Sequence, residues 1–200
     1  MKIVLAAIAL SLMPLSTALA FDATTAAVIA GQKIGKPVAI ADVAALMEGS
    51  ARWCYVEDAG SCAWTDVYLA VTTEGAEYEI GNAWDDSVDI AVIDHGRFAD
   101  GKAICETDSD WLASVRATRR ADGSAMSGRD LRDLKAQIAE VTGAPSHDCF
   151  DYVYRGADAA AQTVTLLQRQ SSGGVHDQAQ DTLVTLHFDP ETAAQLTLRW

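Results

Sequence analysis

Four cysteines, Cys54, Cys62, Cys105 and Cys149, constrain this 200-residue chain more than any other feature. Whether they are thiols or bridges depends on the compartment, because disulfides persist outside the cytosol and rarely within it. The N-terminus speaks to the compartment. Lys2 precedes a run from Ile3 to Leu15 that is apolar except at Ser11 and Pro14, and Ala18-Leu19-Ala20 then sets small residues ahead of Phe21. That is the layout of a secretory signal peptide. The run is shorter than the ~20 residues a membrane-spanning helix needs, and no later stretch is long and apolar enough to span. The expectation is a periplasmic or secreted protein, cleaved between Ala20 and Phe21, with no transmembrane helix after signal removal. Residues 1–20 are then the signal peptide and residues 21–200 a single disulfide-stapled α+β domain. A weak two-unit organisation, 38–106 and 127–200, is compatible with a helix preceding the strand of Cys54 and another preceding that of Cys149.

In an oxidising compartment an even cysteine count reads as two disulfides. Cys54 and Cys62 flank the turn-like Glu57-Asp58-Ala59-Gly60, and a hairpin with a three-residue loop would leave both on one face. Cys105 then pairs with Cys149 around the best helix of the chain. The chemical alternatives lack their motifs: structural zinc and thioredoxin-like sites both favour C-x-x-C, which is absent.

The apolar pattern predicts mostly strands. Arg52–Val56 and Cys62–Trp64 form the first hairpin, and Val67–Thr72 alternates with period two. Glu77–Gly81 and Val88–Val92 follow, and Asp94-His95-Gly96 is expected to bend the chain. Asp100-Gly101 is a type I′ hairpin signal before Lys102–Glu106. Trp111–Arg120 leans to strand. Cys149–Tyr154 and Gln162–Gln170 are strands around a Gly156–Ala161 turn, and a polar loop spans Ser171 to Asp181. A final hairpin pairs Thr182–Phe188 with Ala194–Trp200, with Val184, Leu186, Phe188, Leu196, Leu198 and Trp200 as core. Phe21 to Pro37 reads as a lead-in of small residues. Two helices are expected. Asp42–Glu48 presents Val43, Leu46 and Met47 on one face. Ser127–Thr142 carries the stripe Leu131, Leu134, Ile138 and Val141, with Ser127 as N-cap, Asp130 in the capping-box position, and Gly143 and Pro145 as the stop. The fold class is therefore α+β: a mainly antiparallel sheet of about seven to nine strands packed by one clear amphipathic helix and one short helix.

Charge narrows the partners. The chain carries −13, and −14 without residues 1–20, which argues against a phosphate backbone as a ligand, and no nucleic acid is expected. Residues 57–110 hold 14 acids against Arg97 and Lys102, whereas residues 116–135 are net positive by 3. The plain reading is a solvated surface; the sharper one is an acidic face for a basic partner or a cation. Asp85, Asp86 and Asp89 are the weak metal candidates, since they could offer oxygens to calcium but lack the EF-hand pattern.

Catalytic and cofactor motifs are missing. There is no G-x-S-x-G, H-E-x-x-H or S-x-x-K, and Gly31–Lys36 before Pro37 lacks the spacing and hydroxyl of a phosphate loop. His95, His147 and His176 each adjoin an aspartate near a predicted turn, and His187 falls on a polar strand face. Asp94 and His95 are the weak catalytic candidates. Trp53 and Trp64 bracket the first cysteine pair and Trp84 precedes Asp85, either as core over the disulfide or as a sugar- or protein-binding surface. The leading expectation is an exported, non-catalytic binding or interaction protein of the cell envelope, taking a protein partner or small ligand and no cofactor. A small periplasmic hydrolase with a site near Asp94 and His95 is the second. A small outer-membrane β-barrel is the third: the alternating, aromatic-ended C-terminus favours it, and the amphipathic helix, cysteines and short strands oppose it.

Overall fold

The computed structural model describes residues 21–107, 110–142 and 147–200. The expected signal peptide, residues 1–20, and the expected helix stop at Gly143 and Pro145 lie outside them. Along the chain come α1 (Ala23–Gly31), α2 (Ile40–Gly49), β1 (Arg52–Tyr55), β2 (Ser61–Cys62), β3 (Trp64–Val71), β4 (Gly75–Ala83), β5 (Val88–Ala99) and β6 (Ala103–Glu106). A 3₁₀ turn (Trp111–Ser114), β7 (Arg116–Arg119), α3 (Gly128–Val141), β8 (Asp148–Asp158), β9 (Thr163–Ser172) and β10 (Val175–His176) follow. A second 3₁₀ turn (Gln178–Gln180), β11 (Thr182–His187), the one-turn α4 (Pro190–Ala193) and β12 (Thr197–Leu198) complete the chain.

The antiparallel sheet closes on itself. Its ring runs β1-β3-β4-β5-β6-β8-β9-β11, and β11 pairs β1 again. Each ring strand pairs with the next ring strand along the chain, and the long-range pairing of β11 with β1 closes an up-and-down barrel without exposed ring edges. The remaining strands are excursions from the ring: β2 pairs β12 in parallel, β7 pairs the first half of β5, and β10 extends β9.

Local chemistry accounts for the corners. Asp100 and Gly101 both have positive φ, as a type I′ turn requires, and connect β5 to β6. At Gly96 a Cβ would stand 2.4 Å from Ile104 on the paired strand, so only glycine lets β5 and β6 approach there. Both expected disulfides are present. Cys105 and Cys149 are direct partners of β6 and β8, stapling the ring where the long β7–α3 excursion leaves it.

One end of the barrel is plugged. The face of α2 carrying Val43, Leu46 and Met47 is buried in one core with Trp53, Val164, Val184 and Leu186. A second core forms where α3 lays Leu134 and Ile138 on Val92, Val115 and Ala117 of the β5–β7 extension.

Several expectations change. Phe21–Pro37 contains helix α1, capped by the Asp22 carboxylate on the Thr24 and Thr25 amides; an alanine-rich helix without an apolar stripe leaves no periodic signal. The expected arm Cys62–Trp64 is split: Ala63 and Trp64 meet Tyr55 as β3 begins, whereas Cys62 sits on the excursion that pairs with β12. No bend occurs at Asp94-His95-Gly96, because β5 stays paired to β4 throughout. Trp111–Arg120 divides into a 3₁₀ turn and β7.

The final hairpin does not form. Asp189 caps α4 and β11 pairs β1 and β9, so Val184 and Leu186 are core whereas Trp200 is 74% exposed. Val141 likewise lies off the buried stripe of α3, and the Ser127 side chain makes no capping bond. His187 is buried rather than solvated, with Nε2 3.0 Å from Glu57 Oε2. The basic sector folds back on the acidic one, where Arg120 pairs with Asp89 at 2.7 Å and Arg116 with Glu79.

Candidate ligand site in the barrel mouth

Opposite the α2 plug the barrel interior is polar and hollow. Inward positions of a barrel strand recur every second residue. On β3 these are Trp64, Asp66 and Tyr68. With Tyr55, Tyr78, Ile80, Ile104, Glu106, Phe150, Tyr152, Gln168 and Gln170 they line a chamber of about 260 Å³. The aromatic rings hold one another: Tyr55 stacks on Trp64 with centroids 4.8 Å apart, and Trp53 meets Tyr68 and Tyr152 edge-on at 5.0 and 5.4 Å.

Asp66 is the unusual group. It is 7% exposed, and the Tyr55 hydroxyl donates to its Oδ2 at 2.6 Å. Gln168 Nε2 in turn donates to Tyr152 at 3.2 Å and lies 3.4 Å from the Tyr55 oxygen. Burial pushes the Asp66 carboxyl up to about 7; the Tyr55 hydrogen bond acts against that, and the nearby Asp94 charge adds to it. Burial also raises the hydroxyls of Tyr55, Tyr68, Tyr78 and Tyr152, so they stay protonated donors.

A larger, mostly apolar cavity of about 670 Å³ lies under α3 and shares Ile80 and Glu106 with the chamber. Trp84, Trp111, Trp200, Ile90, Val92 and Ile138 form its walls, and Asp94 lines it too. The two cavities are neighbours that share a wall at Ile80 and Glu106, the larger one mostly apolar and the smaller one hydroxyl-rich.

The residues singled out from sequence are dispersed. Asp94 is buried and faces this cavity, whereas His95 is exposed on the opposite face of β5, 3.0 Å from Glu77. Asp85 accepts from the amides of Ser87 and Val88 in a tight turn, Asp86 is exposed, and Asp89 pairs with Arg120; the three do not converge on one point. His176 is exposed beside Asp181. Among the described residues the one cluster with metal-ligand proximity is Cys54, Glu57 and His187, and there the sulfur belongs to a disulfide and offers no thiolate. Trp84 reaches the cavity, and Trp53 and Trp64 pack in and around the core, Trp64 also lining the chamber.

Asp66, Tyr55, Tyr152 and Gln168 were not visible as a site from sequence. The available signal was parity: Asp66 stands between Trp64 and Tyr68 on the face that strand β3 turns inward. An acid at such a position is costly unless it has a purpose or a partner. Compared with known proteins, the chain matches no protein-family model, no curated sequence and no solved structure, so the geometry of this barrel mouth is the ground for a functional reading.

Proposed function

We propose that this protein is an exported, non-catalytic binding barrel that holds a small, partly apolar molecule in its mouth, in the periplasm or outside the cell. The observation that carries the reading is the pair of neighbouring cavities that share Ile80 and Glu106, one walled by three tryptophans and apolar side chains, the other by hydroxyls and the Asp66 carboxyl. Few, well-placed polar groups within an apolar, pre-formed concavity are the usual make-up of a small-molecule site. Two disulfides, and no helix among the described residues long and apolar enough to cross a membrane, support export of the chain. The outward positions Glu77, Glu79, His95, Arg97, Asp151 and Arg169 favour a barrel facing water over one facing lipid, since a membrane barrel turns an apolar band outward.

The test uses N-phenyl-1-naphthylamine, an uncharged fluorophore, titrated into the mature, oxidised protein. Saturable binding at one site is expected, with quenching of tryptophan emission, and Ile80→Phe should weaken it by adding bulk to a wall that both cavities share. Non-saturating fluorescence, or binding that Ile80→Phe leaves unchanged, would reject the site. Intact mass of the exported chain tests removal of residues 1–20.

A further inference from the structure

We propose that the ligand of the barrel mouth is an organic cation, an alkyl or aryl ammonium whose charged head enters the chamber. The inference rests on the binding-barrel reading and names the ligand class. Four acids, Asp66, Asp94, Glu106 and Asp148, line the two neighbouring cavities, and no Lys, Arg or His does so among the described residues. Asp148 is held by Gln170 at 2.6 Å and by Ser172. Asp66 differs. It is more than nine-tenths buried, and the Tyr55 hydroxyl on Oδ2 is the one hydrogen bond it makes among the described residues. Oδ1, on the chamber wall, accepts from no donor among the described residues.

A buried carboxylate needs a cation or several donors to remain charged. The chamber offers Asp66 neither, so it keeps its proton up to about pH 7. An ammonium group would supply the missing counter-charge. The surrounding rings of Tyr55, Trp64, Tyr68, Tyr78 and Tyr152 would add the negative faces that attract cations, and the tryptophan-walled cavity beside them would take the apolar tail. An anionic head would find no Lys, Arg or His on either cavity wall among the described residues.

Binding should therefore displace the Asp66 proton and tighten as pH rises. The groups facing Asp66 are Tyr55 on β1, Tyr68 on β3, Tyr78 on β4, Asp94 on β5, Glu106 on β6, and Asp148 and Tyr152 on β8. The tyrosines do not ionise in this range, and Asp66→Asn separates Asp66 from the other three acids.

The experiment is calorimetric titration with three probes that share one ring: cyclohexylamine as its ammonium ion, cyclohexanol and cyclohexanecarboxylate. At pH 8 the ammonium ion should bind at least tenfold more tightly than cyclohexanol, with the carboxylate weakest. Ammonium affinity should climb several-fold between pH 5.5 and 7.5 and then level. Asp66→Asn should flatten that climb and cut the preference for the ammonium ion. Equal or tighter binding of cyclohexanol, with the naphthylamine probe still bound, overturns the cation assignment alone. If neither the naphthylamine probe nor any ring probe binds, the cavity reading falls with it.

Discussion

Replacing Asp66 by Asn should make the protein more stable at neutral pH, and by an amount that depends on pH in a defined way. Asp66 ionises at about 7 in the folded barrel, against an ordinary value of 3.8. Below about pH 4 both folded and unfolded chains keep the proton, and the group costs nothing. Between the two values the unfolded carboxyl has ionised while the native one has not, so the unfolded state gains and stability falls as pH rises. Above about pH 7 both are ionised and the penalty stays constant. A shift of about three units is worth roughly 4 kcal/mol at ~1.4 kcal/mol per unit. Asparagine keeps an acceptor for the Tyr55 hydroxyl and carries no charge. Its extra N–H group, if unsatisfied, costs about 1–3 kcal/mol, but that offset does not vary with pH. The diagnostic quantity is thus the change in the stability difference, variant minus wild type, as pH goes from 4 to 8. Urea unfolding with the disulfides intact, followed by tryptophan fluorescence, measures it. The difference should rise by a few kcal/mol over that range, most steeply between pH 4 and 7. A flat difference would mean that Asp66 is solvated or paired, and would remove the electrostatic basis of the candidate site.

Loss of the Cys105–Cys149 bridge should cost more than loss of Cys54–Cys62. With sequence separations of 44 and 8, chain entropy assigns about 4 and 2–3 kcal/mol respectively, and paired Cys→Ala variants compared by denaturant midpoint give the order. Ile138→Ala should destabilise by about 2–5 kcal/mol because Ile138 is buried between α3 and the β5–β7 extension. Val141→Ala, on the same helix but exposed, should change stability by less than about 0.5 kcal/mol.

Much of the barrel was legible in the order of residues because its contacts are local. Period-two alternation marks most ring strands, Asp100-Gly101 announces its turn, and cysteine spacing selects the observed pairing. Helices α2 and α3 were visible because each carries one apolar stripe; α1 was not, because alanines and threonines on all sides carry no periodicity. The final hairpin was misread for a related reason. Thr182–His187 and the C-terminal segment both alternate, and alternation reports that a strand has two faces without naming its partner.

What the sequence determined by itself is what short-range physics controls: two staples, the acidic charge, and a set of strands and helices with their turns. Tertiary structure alone decided that the sheet closes, and closure is what creates an inside. Once β11 meets β1, each period-two face becomes either the wall of a cavity or the outer surface. Asp66 and Asp94 then face the cavity side while His95 turns out to Glu77. Neighbours in the chain are thereby separated, and residues from β1, β3, β8 and β9 meet around one buried carboxyl. No local pattern encodes that meeting, because it depends on the register of every strand in the ring at once.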